Sequence, residues 1–179
     1  MLPRLKRRFS AIEQQRSALV TALRGHDPEA LAFKPAPESW SVVEVVEHLV
    51  IAEELSLKAL EKPLPPDRGS LLRSTFRINL IRGAFRYLSV RVKAPSARLM
   101  PTGTAALSDL LNRWDAARTR LGMVVEAITP ATRSERRWRH PLAGWLTTEQ
   151  WLAFIYSHVA HHQKQMGRIW SARQVLTAR

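Results

Sequence analysis

A chain of 179 residues is long enough to bury a core unaided, and the complete absence of cysteine excludes disulfides, iron–sulfur clusters and thiolate zinc sites, so any metal here must be held by nitrogen and oxygen. The formal charge of +13 invites a nucleic-acid reading, but eight of the basic residues, Arg68, Arg73, Arg77, Arg82, Arg86, Arg91, Lys93 and Arg98, fall in the segment Arg68 to Arg98, which contains no acidic residue. No apolar run approaches a membrane span and the charged N-terminus lacks the apolar stretch of a signal peptide, so the expectation is one cytoplasmic soluble domain over residues 1–179 with no membrane contact.

Helical periodicity begins at about Leu2, with Leu5, Phe9, Ile12, Leu19 and Leu23 at three- and four-residue steps, interrupted at Gln15 and Arg16 and stopped at Gly25. A second helix opens at Ser41 with a capping box, Ser41 and Glu44 each able to bond the other's backbone amide. Its seam reads Val45, His48, Ala52, Leu55, Ala59, and it ends before Pro63. From about 70 to 92 the chain is helix-compatible, but apolar and arginine residues are spread round the circumference, as in an inserted helix; 94–104, with Pro95, Pro101 and Gly103, reads as a loop. The next helix has the stripe Leu107, Leu110, Trp114, Leu121, Val124 or Val125, and Ile128, closed by Pro130. Arg133 to Leu146, containing HPLAGW, reads as another loop, and Thr147 with Gln150 caps a last helix whose seam is Trp151, Ile155, His158, His162, Met166 or Gln165, and Ile169. With no strand-like alternation, the prediction is an all-α four-helix bundle over 2–24, 41–61, 105–128 and 147–171, with 70–92 as an extra helix in a long crossover.

His158 and His162, four residues apart, project from one helix face a turn apart, the spacing at which one ion is gripped by two imidazoles. Both occupy an apolar seam, where an unpartnered polar ring is costly, and His48 occupies the seam of another helix. Three neutral nitrogens could thus meet at one point and leave a coordination position open, although a lone seam histidine is more often a hydrogen-bonded core residue. His161 points about 100° away from His162 and reads as a surface or supporting residue.

The segment Trp40 to Glu54, WSVVEVVEHLVIAEE, followed downstream by His140 to Ile169 with its HxxHHxxQ, resembles the DinB-like superfamily of four-helix-bundle metalloproteins. A Trp-Ser lead-in with a histidine eight residues after Trp40, the histidine pair His161 and His162, and the KAP…P loop at Lys93 to Pro101 carry the resemblance. It implies metal ligation by His48, His158 and His162, one divalent ion such as zinc or nickel, and, as in several members, transfer of a low-molecular-weight thiol such as bacillithiol or mycothiol onto an electrophile. With no cysteine in the chain the sulfur would come from the substrate; the same centre would equally serve water and hydrolysis, or bind a ligand without catalysis. Imidazoles bind metal only when neutral, so occupancy is expected to fall below about pH 6. Glu44 could support or ligate at His48, although its cap role suffices; Gln165 could orient a ligand or bond another helix; Trp40 and Trp145 should pack at the helix lead-ins; His140 reads as a solvated loop histidine able to approach the site.

The other reading is a nucleic-acid or anionic-surface binding protein using Arg68–Arg98. Against nucleic acid, Arg82 and Arg86 lie opposite Arg73, Arg77 and Arg91 at 100° per residue, so tight DNA binding is not expected; the segment is expected to pack as a partner helix against the bundle or against a second copy in a homodimer.

Overall fold

The computed structural model describes residues 1–87 and 96–177; the expected helix to 92, the Lys93 end of the KAP…P loop, and Arg91 and Lys93 themselves lie outside the described residues. Among the described residues six α-helices and one hairpin follow in order: α1 (Pro3–Arg24), α2 (Pro28–Ala32), α3 (Val42–Ala59), α4 (Leu71–Tyr87), a 3-10 turn at Ala97–Leu99, α5 (Leu107–Glu126), β1 (Arg136–His140), β2 (Gly144–Thr147) and α6 (Thr148–Thr177). Helix α1 packs on α6, α6 on α3, α3 on α5, and α5 back on α1, which closes the four-helix bundle; α4 lies outside it against α6 and β2.

The predicted ends form as expected. Ser41 Oγ accepts from the Glu44 amide at 3.2 Å while Glu44 Oε2 accepts from the Ser41 amide at 2.7 Å. Thr147 and Gln150 repeat the exchange at the start of α6, with bonds of 3.3 and 3.0 Å. Leu5, Ile12, Leu19 and Leu23 of α1, Leu110, Trp114, Leu121 and Val125 of α5, and Trp151, Ile155, Met166 and Ile169 of α6 are buried in a shared core.

Three expectations need correction. The segment 133–146 is not only loop: β1 and β2 pair antiparallel, with Trp138 opposite Leu146 and His140 opposite Gly144. Trp138 and His140 face inward and Arg139 outward, an alternation disguised by the arginines. The turn has three residues, and Gly144 at φ 86° supplies the left-handed position such a hairpin favours. Trp138 stacks on Trp151 at 5.3 Å and donates its indole N–H to Thr148, pinning the hairpin to α6. The short helix α2 carries no long-range periodicity and has no counterpart in the expected elements. Finally, the inner face of α3 runs through Leu49, Glu53 and Leu57; Ala52 and Leu55 are only partly buried and Ala59 is exposed.

That last difference has a physical cause. Glu53 is buried because Arg118 of α5 grips it bidentately, Nε to Oε2 at 2.6 Å and Nη2 to Oε1 at 2.7 Å, while the Trp114 indole donates to Oε1 at 3.0 Å. Arg118 Nη1 also reaches Glu13 Oε1 at 3.0 Å, so one guanidinium joins α1, α3 and α5. Removing one member of a buried pair strands the other charge. Arg118→Met should therefore cost about 3–5 kcal/mol in urea unfolding, and adding Glu53→Leu to it should recover most of that loss. A single substitution costing under about 1 kcal/mol would show that the network does not carry the bundle.

Candidate metal centre

Helices α3 and α6 bring His48, His158 and His162 together: one ring nitrogen of each lies within 4.8 Å of the others. His48 Nε2 is 3.3 Å from His158 Nε2, which is 3.1 Å from His162 Nε2. The outer nitrogens explain which atoms face inward. His48 Nδ1–H donates to the Leu99 carbonyl at 2.8 Å, and His162 Nδ1–H donates to Gln165 Oε1 at 2.8 Å. Each ring thereby exposes a bare Nε2 lone pair toward His158. Gln165 thus orients a site histidine, and makes no helix-to-helix bond with its Oε1.

Two lone pairs directed at a third ring nitrogen need something positive between them: either a shared His158 N–H or a cation. The spacing also suits a cation, since nitrogens about 2.0–2.1 Å from one ion are separated by roughly 2.9–3.4 Å in octahedral or tetrahedral arrangements. The donor set, three imidazoles with no thiolate or carboxylate, suits a borderline transition-metal dication.

Around these rings the walls are aromatic. Trp40 sits 5.1 Å from His48, Phe154 stacks on His158 at 5.3 Å, and Phe85 of α4 lies 6.0 Å from His158. Burial drives the His158 pKa well below the ordinary value, assisted by its histidine neighbours, and drives His162 to about 3. His48 is lowered by burial as well, with the Leu99 carbonyl opposing. Without an ion all three rings are thus held neutral, the ligating form.

Glu44 does not join the cluster. Its carboxylate caps α3 and takes Lys34 Nζ at 2.7 Å; burial pushes its pKa up, but Lys34 and Ser41 outweigh this and hold it low. His140, expected as a solvated loop residue, is buried, and so is His161, which takes the supporting place rather than the surface one. His161 stacks on Phe85 at 4.5 Å and meets His162 edge-on. His140 Nδ1 accepts from the Leu142 and Ala143 amides at 3.1 Å each, so its proton resides on Nε2, and its ring meets Phe154 edge-on at 4.6 Å. Trp145 is half-buried in β2, opposite Arg139.

Residue types alone left Glu47 unmarked. Its carboxylate accepts from the Thr102 amide at 3.0 Å, the Thr102 hydroxyl at 2.7 Å and the Gly103 amide at 3.0 Å, fixing the loop that carries the Leu99 carbonyl. Burial pushes Glu47 up, but these bonds pull it below the usual range. Gly103 is required there: its φ is +75°, and a Cβ would lie 2.9 Å from Glu44 Oε1. No residue-type pattern marks a carbonyl such as that of Leu99, whereas Phe154 was findable one turn before His158 on the same face.

Fold and site together describe a helical bundle with a three-imidazole cluster between two of its helices. A sequence profile of the DinB superfamily matches residues 11–166, and the chain belongs to that superfamily. The uncharacterized protein YuaE of Bacillus subtilis strain 168 is 26% identical over 167 residues, covering 90% of this chain and 96% of that one. Among solved structures, the crystal structure of TT2238, described as a four-helix bundle protein, superposes with a TM-score of 0.57 at 21% identity, covering 91% of this chain and 98% of that one, a likeness of fold.

The buried histidines imply a pH dependence. His140 falls from 6.5 to about 4 and His162 from 6.5 to about 3 on folding, so the unfolded chain binds protons that the folded one refuses. Their contribution is complete above the unfolded value and is lost as pH falls toward the folded values. Thermal unfolding of the metal-free protein should shift to lower temperature on acidification from 6.5 toward 4, and less steeply in His140→Gln. A melting temperature that rises through this window would contradict the assignment of neutral buried rings.

Proposed function

We propose that His48, His158 and His162 together hold one divalent cation, and that the protein is a cytoplasmic enzyme joining a low-molecular-weight thiol to an electrophile. The observation that supports this reading most directly is the freeing of two Nε2 lone pairs by the Leu99 carbonyl and Gln165, both aimed at His158 Nε2. When bound, such an ion supplies Lewis acidity, lowering the pKa of a thiol or of water at its open position. The chain's own residues do the rest: three rings fixed by packing and hydrogen bonds, and Trp40, Phe85 and Phe154 limiting water around them. A chain without cysteine has no thiol of its own to compete with the substrate's sulfur. In the transfer a carbon–sulfur bond forms, the thiol proton passes to solvent, and the electrophile's leaving group departs with its electron pair.

Elemental analysis of protein purified without a histidine tag should show one equivalent of zinc, nickel or a similar dication, and alanine at any one of the three positions should abolish it with helix content kept. Glu47→Ala keeps every ligand but loosens the loop behind His48, and should weaken metal affinity roughly 10–100-fold. Wild-type protein without metal after equilibration with zinc or nickel, despite helical circular dichroism, would refute the centre. The loaded protein should consume a thiol in the presence of an alkylating electrophile; hydrolysis of an ester with no thiol consumption would assign the nucleophile to water.

A further inference from the structure

Helix α4 presents an ordered surface that the metal centre does not use. Its inner side is Ser74 and Ile78, both buried, with Phe85 reaching toward His161. On the outer side Leu72, Phe76, Leu80 and Tyr87 are 82, 69, 64 and 78% exposed. With Gly83 they fall within an arc of about 80° at 100° per residue. Arg73 and Arg77 line one edge of this stripe, and Arg86 and then Arg82 line the other. The arginines that seemed scattered in sequence are two flanks of one apolar strip once the buried side is known.

Nothing among the described residues neutralises that face. Arg73, Arg77 and Arg86 have no ion-pair partner there, and Arg82 reaches only Asn79 and Ser157, at 3.2 and 3.4 Å. No acidic residue occurs between Asp67 and Asp109. Four large apolar side chains in a row are more than scattered surface hydrophobics, and such a strip marks a contact site.

We propose that the outer face of α4 docks on an anionic lipid surface, with Leu72, Phe76, Leu80 and Tyr87 entering the headgroup–acyl boundary and Arg73, Arg77, Arg82 and Arg86 pairing with lipid phosphates. Charge complementarity decides the occupant. A second copy would set arginines against arginines with no acid between them, and a nucleic-acid backbone would meet leucine and phenylalanine where it needs cations. An anionic bilayer matches both components: apolar side chains reach hydrocarbon while arginine stems extend to the headgroups. Absence of membrane contact was expected because no segment can span a bilayer, and no helix among the described residues is long and apolar enough to do so; a helix lying in the interface needs no such length.

Co-sedimentation of the full chain with phosphatidylcholine vesicles, with and without phosphatidylglycerol, tests this. Binding should require phosphatidylglycerol and weaken as salt is raised. Phe76→Ser, which leaves the charge unchanged, should reduce partitioning about tenfold, and Arg73→Gln or Arg77→Gln about fivefold each. Arg24→Gln, at the far end of α1, should change it less than about twofold; circular dichroism serves as the control for folding. No binding to phosphatidylglycerol vesicles at low salt overturns the proposal. Undiminished binding by Phe76→Ser overturns it too, since net charge alone would then suffice. Concentration-dependent dimerisation abolished by Phe76→Ser, without vesicle binding, would give the face to a second copy instead.

Discussion

Three neutral imidazoles packed together at one point, His48 and His162 buried and His158 partly so, are the constraint on which the surrounding structure depends. A buried ring nitrogen without a partner is expensive, and the three rings bring six ring nitrogens to be satisfied. The protein satisfies the outer ones of His48 and His162 with a carbonyl and an amide oxygen, which commits the inner ones to face each other. Holding the Leu99 carbonyl in place requires the 96–104 loop to be rigid, and Glu47 clamps it by three hydrogen bonds. Gly103 can occupy its place only because it has no side chain to strike Glu44, whose own carboxylate is committed to the helix cap. One geometric demand thus propagates from the rings through a loop to the start of α3.

Helix α3 is the meeting place for these demands. Its buried polar residues each have a different partner: Glu44 takes Ser41 and Lys34, Glu47 takes Thr102 and Gly103, His48 takes Leu99, and Glu53 takes Arg118 and Trp114. Apolar packing alone would let a helix slide or rotate against its neighbours at small cost, whereas four satisfied polar groups at fixed positions penalise any other register. The polar content of the core therefore selects one arrangement of the bundle, and the apolar residues supply most of the driving force.

Whatever depends on period and end signals was legible in the sequence. The capping boxes at Ser41 and Thr147, the stripes of α1, α5 and α6, and the three seam histidines follow from spacing, because helices repeat their faces every three to four residues. What depends on tertiary partners was hidden. Glu53 reads as a surface residue until Arg118 is found opposite it; the hairpin alternates, but with arginine, tryptophan and histidine in place of the usual aliphatics; and His140 is buried by contacts with Phe154 and its own turn. The α4 arginines lacked meaning until the buried side of that helix was known.

His48 and His158 are separated by 110 residues of chain, while His158 and His162 sit on one helix. Any partially folded species in which α6 has formed can offer the pair, but only the assembled bundle adds the third nitrogen. Under the proposed function, a cation would find all three rings only in the finished bundle, so the affinity added by the last ring would be coupled to correct docking of α3 on α6.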